Sequence, residues 1–465
     1  MIYIYEVNAV MKLEFGTAKM MQSIAGFGTS SCWWSPFCKD PDIQDEIASV
    51  LYSDKGLNLN IYRYNVGAGY DPDNCRISNP WRRSESFYKY DKKSGSGTYD
   101  FSADKTAVDF MKKCLDEGNI DTLIFFANSP HWSLTSTGQS SGSLLPSTCN
   151  LPKMNYIKYA DYFLTISEHF LNQGFPLKYI SPVNEPQWKW GGDHVWQEGC
   201  HFESEEILEL FHIFATEIRK RNLPLRLYGP ESGEMGGLTE EYLTVLLSDK
   251  DISKYLEVFA YHSYHDDNNP QKRLEFKKDL LLSHPEKRFD MSEWCELPNK
   301  SHTHDFKGAL ITARIIGQDL IYAGARSWTS WVAVNQISLK EDGNDYSDGL
   351  ISASDDFSRW YISERYYGLA HFSKYLPIGS VCLDISFFPD EKNDLNLFAF
   401  LTPSNERIII SVNESGKNEI SLSGEFESMK CIESTKDFKL KTIYEGPFTQ
   451  SLSIAPESIT TIILK

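Results

Sequence analysis

Between Ile24 and Gly368 the chain alternates short apolar runs with amphipathic helical patterns, eight times over, and few folds admit that rhythm. The predicted strands are Ile24–Gly28, Leu57–Asn65, Asp121–Ala127, Leu177–Val183, Leu225–Tyr228, Val258–Tyr264, Arg288–Ser292 and Ala325–Val332. Helical patterns between them have sensible ends. Asp104–Gly118 sets Val108, Met111 and Leu115 on one face and stops at a glycine. Ser204–Asn222 opens with acids and closes with bases, which complements the helix dipole. Asn155–Gly174 and Phe306–Tyr322 read the same way. Strand and helix in strict alternation predict an α/β chain, a (β/α)8 TIM barrel with long loops.

After Gly368 the pattern changes. Leu395–Leu401, Arg407–Asn413, Glu419–Leu422, Lys439–Tyr444, Ser451–Ile454 and Thr460–Leu464 are strand-like and separated by Gly, Pro, Asn and Ser turns, with no helical pattern among them. Ile2–Val7 and Lys12–Phe15 are strand-like too. The expected division is residues 1–22 as strands of a side β-sandwich, 23–368 as the barrel, and 369–465 as the rest of the sandwich. The longest irregular stretch, 67–101, is rich in Asp, Asn, Gly, Ser and Lys and contains Trp81-Arg82-Arg83. A loop of that length following a barrel strand is expected either to touch substrate or to decorate the surface.

Charge narrows the partners. With a net charge of −18 and no basic run, the 465 residues are poorly suited to nucleic acid or an anionic membrane. No apolar run is long enough to span a bilayer. The start, Met1 to Asn8, lacks the basic and apolar regions of a signal peptide. Nine cysteines without a C-x-x-C pair predict neither a disulfide framework nor a zinc site. A cytoplasmic protein is therefore expected, or a secreted one if a leader has been trimmed away. Aromatic residues reach 14%, with 11 Trp and 25 Tyr. That surplus suits a core, and it also suits a sugar cleft, where flat rings stack on the apolar face of a pyranose.

Barrel active sites lie where the strands end. Those ends supply Arg63, Asn128 to Trp132, Asn184-Glu185, Glu231, His262 to His265, Glu293-Trp294 and Trp328 to Trp331. Two glutamates stand out, Glu185 in Asn184-Glu185-Pro186 and Glu293 in Met291-Ser292-Glu293-Trp294. Cleaving a glycosidic bond needs a proton donor for the leaving oxygen and a second carboxylate on the opposite face. Glu185 is read as the acid/base, with a pKa raised to suit proton donation. Glu293 is read as its partner, with Arg63 keeping it ionised. The bland alternatives are a loop-capping Glu185 and a Glu293 held in a structural ion pair with Arg63.

Four motifs together resemble glycoside hydrolase family 30: Gly26-Phe27-Gly28-Thr29-Ser30, Ser181-Pro182-Val183-Asn184-Glu185-Pro186-Gln187, Tyr261-His262-Ser263-Tyr264 and Met291-Ser292-Glu293-Trp294. The closing Ala455 to Thr461 stretch is similar to that family's terminal sandwich strand. The resemblance implies a retaining enzyme with Glu185 as acid/base and Glu293 as nucleophile. It further implies Asn184 on the sugar 2-hydroxyl, Arg63 and Tyr264 around the nucleophile, Trp331 as subsite floor and Trp132 as wall. It also implies a side sandwich built from both termini.

Further contacts are expected from Trp34, Trp188, Trp294 and Arg83, with His262 and His265 either touching substrate or filling polar positions behind it. Trp190 and Trp196 offer flanking platforms or loop packing. Glu231 is a third acid or a structural partner. His302, His304 and Asp305 carry too few ligands for a metal site and are read as a solvated loop, so no metal or cofactor is expected. The cysteines, among them Cys32, Cys200 and Cys295, read as buried fillers. Within the family the stretch Gly28 to Trp34 and the residues after Glu185 look most like the β-1,6-galactanase branch. The alternatives are another β-linked sugar (β-1,6-glucan, xylan, a β-xyloside or a β-fucoside) and a catalytically silent carbohydrate-binding protein on the same fold.

Overall fold

A computed structural model describes residues 11–14, 18–281, 284–297, 305–337, 348–385 and 394–465. Eight parallel strands close into a barrel in chain order: β1 (Gly26–Ser30), β2 (Ile61–Asn65), β3 (Thr122–Phe126), β4 (Leu177–Ser181), β5 (Arg226–Ser232), β6 (Leu256–His262), β7 (Arg288–Trp294) and β8 (Ser327–Ser330). All eight expected strands are present, shifted by a few residues at their ends. Helices between them include Lys105–Asp116, Tyr156–Asn172, Ser204–Lys220 and Lys307–Ile321, inside the four expected ranges.

Inside the barrel, Ile61, Ile124, Tyr179, Tyr228, Val258 and Ala260 form a small buried cluster. Residues two apart on a strand share a face, so Arg63 follows Ile61 toward the barrel mouth and His262 follows Ala260. Below the mouth this cluster fills the barrel, with the Arg288–Asp290 ion pair beside its tyrosines, while Arg63, Glu231, His262 and Glu293 gather toward the C-terminal rim.

A seven-stranded sheet runs in the order Lys19–Ser23, Val381–Asp384, Leu395–Leu401, Arg407–Asn413, Ser458–Leu464, Ser428–Ser434, Lys441–Pro447. A three-stranded sheet of Met11–Glu14, Asn418–Ser423 and Ser451–Ile454 accompanies it. Leu13, Leu397, Ile409, Ile420, Met429, Ile454 and Ile462 belong to one buried cluster shared by the two sheets. N-terminal and C-terminal strands thus build the same side domain. The helix Glu364–Ser373 spans the point at which the sequence changes character and packs on Lys307–Ile321. The expected strand Ile2–Val7 and the histidines at 302 and 304 lie outside the described residues.

The stretch 67–101 is not all irregular: it carries a hairpin, Tyr88–Asp91 with Ser96–Tyr99. Ser428–Ser434 and the helix Pro41–Tyr52 are further elements the sequence reading did not name.

Candidate active site

Arg63 is the centre of the rim. Fully buried at the end of β2, it donates from Nη1 to Glu293 Oε2 at 2.7 Å and from Nη2 to Asn184 Oδ1 at 3.0 Å. Its Nε reaches Glu231 Oε1 at 3.4 Å, and its guanidinium lies 3.5 Å from the centre of the Phe126 ring. Burial would lower the Arg63 pKa, but Glu231 and Glu293 outweigh it and raise it.

A one-residue bulge aims Glu293. Opposite β6, Tyr261 pairs with Met291 and His262 pairs with Glu293, which leaves Ser292 as the extra residue. Ser292 Oγ donates to Glu231 Oε2, while Tyr264 donates to Glu293 Oε1 at 3.0 Å. Glu185 sits four residues past β4 with φ of +46°, a left-handed conformation that non-glycine residues rarely adopt. It is fixed there by its N–H to Glu231 O at 2.8 Å and by Trp190 Nε1 donating to its carbonyl at 2.9 Å.

His262 ties the acids together. Its Nδ1 is 3.1 Å from Glu185 Oε1 and 3.7 Å from Glu293 Oε1, and its Nε2 is 3.2 Å from Glu231 Oε2. Burial would lower its pKa, yet Glu293, Glu185 and Glu231 push it up to about 9. Glu231 is fully buried; burial alone would raise its pKa, but Arg63, His262 and Ser292 bring it down to about 2. Burial raises the Glu293 carboxyl above its ordinary value; His262 and Arg63 oppose this, and Glu185 and Glu231 add to it. Arg63 and Tyr264 both reach Glu293, as expected, but Arg63 divides its charge between Glu293 and Glu231.

Glu185, His262 and Glu293 present one ligand-type atom each within 4.8 Å of one another. Three such groups could hold a cation. Here His262 Nδ1 already faces both carboxylates and the Arg63 guanidinium donates to Glu293, so the donor set fits a hydrogen-bonded cluster better than a metal site.

Above this cluster opens a cleft of about 240 Å³. Asn184, Glu185, Tyr264 and Glu293 line it, with Trp33, Trp331, Trp188, Trp190, Trp196, Arg82 and Gln197. Trp33 meets Trp331 edge-on at 4.8 Å, and Arg82 lies 4.0 Å from the centre of the Trp33 ring. Trp196 is 76% exposed at the mouth. Gly233 closes the acid's side: a Cβ there would press on Trp188 Nε1 and come within 3.0 Å of Glu185 Oε1.

Four expected contacts fall elsewhere. Trp34 is buried against Phe110, its Nε1 donating to Ser30 O at 3.2 Å; Trp33, with φ of +71°, takes the cleft position instead. Trp294 is buried beside Trp328 and donates to Asp267 at 2.9 Å, because the bulge that turns Glu293 into the mouth turns its neighbour away. Arg83 is spent on its own loop, donating to Ile77 O at 2.7 Å and Ser78 O at 3.2 Å, and Arg82 faces the cleft. Trp132 lines a separate cavity with Tyr88 and Tyr90. The sequence pointed to the Trp81–Arg83 and Gly28–Trp34 segments but singled out Arg83 and Trp34 rather than Arg82 and Trp33; it did not mark Gln197 as a contact, and it left Glu231 open. One backbone feature marks the site: Trp33, Glu185, Glu231 and His265 all have positive φ.

A closed parallel barrel with two facing glutamates on its C-terminal rim, beneath aromatic walls, is the architecture of a glycoside hydrolase. The chain belongs to O-glycosyl hydrolase family 30, whose description matches residues 10–352. It is 26% identical over 412 residues to an endo-beta-1,6-galactanase of Hypocrea rufa, covering 83% of this chain and 78% of the relative. In structure it resembles a conserved exported protein from Bacteroides fragilis, with a TM-score of 0.83, 23% identity and coverage of 98% and 100%. The catalytic domain of a GH30 xylanase C from Talaromyces cellulolyticus superposes with a TM-score of 0.73 at 16% identity, covering 98% of this chain and 99% of that one. At those identities the structures speak for the fold.

Proposed function

We propose that this glycosidase works by double displacement, with Glu293 as nucleophile and Glu185 as acid/base, on β-1,6-linked galactan or its oligosaccharides. The observation that carries the mechanism is that oxygens of the two carboxyls lie within 4.8 Å. So close an approach is compatible with direct attack by the second carboxylate, as in retaining enzymes.

The partners of the two carboxyls support the division of roles. Glu293 accepts from Arg63 and Tyr264, so it is the better seat for the charge. Glu185, whose Oε1 lies 3.1 Å from His262 Nδ1, is left the role of acid/base. In the first step Glu293 forms a bond to the anomeric carbon as the glycosidic C–O bond breaks, and the leaving oxygen takes the Glu185 proton. In the second, Glu185 takes a proton from water as its oxygen attacks that carbon and Glu293 departs. Asn184, its Oδ1 held by Arg63, keeps Nδ2 for a sugar hydroxyl.

The galactan assignment is supported by the Hypocrea rufa relative and by the sequence of the loops after β1 and β4. The test is an NMR product profile on β-1,6-galactan fragments, β-1,6-glucan and xylan. Galactan fragments are expected to be cleaved with the β-anomer released first. An α-anomer would sink the mechanism, faster cleavage of glucan or xylan the substrate, and binding without turnover the reading as an enzyme.

A further inference from the structure

We infer that the cavity around Trp132 is a second sugar-binding site, which takes another hexose unit of the substrate chain and lies beside the catalytic cleft. This rests on the glycan-hydrolase reading of the cleft but concerns none of its residues. The cavity measures about 270 Å³, as large as the cleft, and is lined by Tyr70, Tyr88, Tyr90, Trp132, Glu85 and Lys89, with Gly69 and Ser86 at its floor.

Its chemistry is that of a neutral-sugar site. Four aromatic rings offer flat apolar surface for the C–H face of a pyranose, and Tyr90 stands edge-on to Trp132 at 5.6 Å, giving two walls at a right angle. Lys89 and Glu85 supply a donor and an acceptor for hydroxyls, their charges 4.0 Å apart and mutually balanced, so the pocket selects no net charge. Gly69, at φ of +65°, keeps the floor open: a Cβ there would lie 3.0 Å from Ser86 Cβ and 3.2 Å from Trp132 Cδ1.

Position ties it to the polymer. Both walls come from loops on the C-terminal face, after β2 and β3. Arg82 lines the cleft and Glu85 the second cavity; Asn128 lines the cleft and Trp132 the cavity. Three or four residues span at most about 10–14 Å, so the two sites are neighbours along one surface, in reach of a single oligosaccharide. The hairpin Tyr88–Asp91 with Ser96–Tyr99, otherwise an unexplained decoration of the barrel, presents Tyr88 and Tyr90 to it.

The test uses the full chain. In the Glu293→Gln background, calorimetric titration with a β-1,6-galactooligosaccharide should show sugar binding that Tyr90→Ala or Tyr70→Ala weakens about 5- to 10-fold. In the active protein, the same two variants should lower kcat/KM on the polymer by a similar factor. They should leave kcat/KM on a small aryl β-galactoside unchanged. Equal losses on both substrates, or no loss on the polymer and none in binding, would overturn the site. If no glycoside is turned over yet Tyr90→Ala still weakens binding, the hydrolase reading fails and the second site stands.

Discussion

Glu231→Gln removes one charge from a buried cluster in which every group leans on another. Glu231 is fully buried and its carboxyl is lowered from 4.5 to about 2. A group whose pKa falls on folding stabilises the protein above its unfolded pKa, and that contribution fades as pH drops through the folded value. At pH 7 that difference is worth on the order of 3 kcal/mol. At pH 3 the same linkage leaves about 1 kcal/mol. Urea unfolding followed by tryptophan fluorescence should therefore find Glu231→Gln less stable at pH 7 by about 3 kcal/mol, with the gap narrowing by about 2 kcal/mol at pH 3. Activity should collapse at neutral pH as well, because Glu231 anchors Arg63, His262 and Ser292 around the two carboxyls. A gap between variant and parent that stays constant from pH 7 to pH 3 would refute the claim that Glu231 is held ionised by Arg63 and His262.

Gly233→Ala should cut kcat at least 10-fold with little change in melting temperature, since the new methyl group crowds Glu185 and Trp188 at the edge of the cleft; steady-state kinetics beside a thermal melt checks this. Trp33→Ala and Trp34→Ala should both destabilise, Trp34→Ala by about 3–5 kcal/mol through a core cavity, but only Trp33→Ala should raise KM, since Trp33 alone of the two lines the cleft; melts beside steady-state kinetics check this. The His262 imidazolium, raised from 6.5 to about 9, contributes stability that is complete below pH 6.5 and is lost as pH rises through 9. His262→Gln should accordingly remove the alkaline limb of a pH–stability profile while lowering activity at every pH.

The barrel was legible because strands buried on both faces read as continuous apolar runs, and eight of them punctuated by helical patterns leave little choice of fold. The ends were less legible. Glu293 was placed just past its strand, although it pairs with His262 inside it, because a bulge adds a residue that no periodicity announces. The same bulge explains why Trp294 was taken for a contact. The choice between Trp33 and Trp34 turned on a tryptophan at φ of +71°, a conformation no propensity favours. Arg82 and Arg83 were separated by the short turn Pro80–Arg82, which sends consecutive side chains in different directions. By contrast, Asp40 capping Pro41–Tyr52 was readable and overlooked: an acid accepting from the N–H of Asp42, with proline at the first helical position, is a strong helix start.

Glu185 and Glu293 were recognisable as a pair from their strand ends, and the family resemblance gave them unequal roles, but not the surroundings that could enforce the difference. Two carboxyls on facing loops are chemically alike until their surroundings are counted. Glu293 meets Arg63 and Tyr264; Glu185 meets His262, which is also committed to Glu231. Those partners come from β2, β5, β6 and the loop after β6, up to 230 residues from the group they act on. Only closure of the barrel brings them within hydrogen-bonding distance. The proposed division of labour between the two acids therefore rests on the closed rim, which gives Glu293 the Arg63 and Tyr264 donors and sets Glu185 against His262.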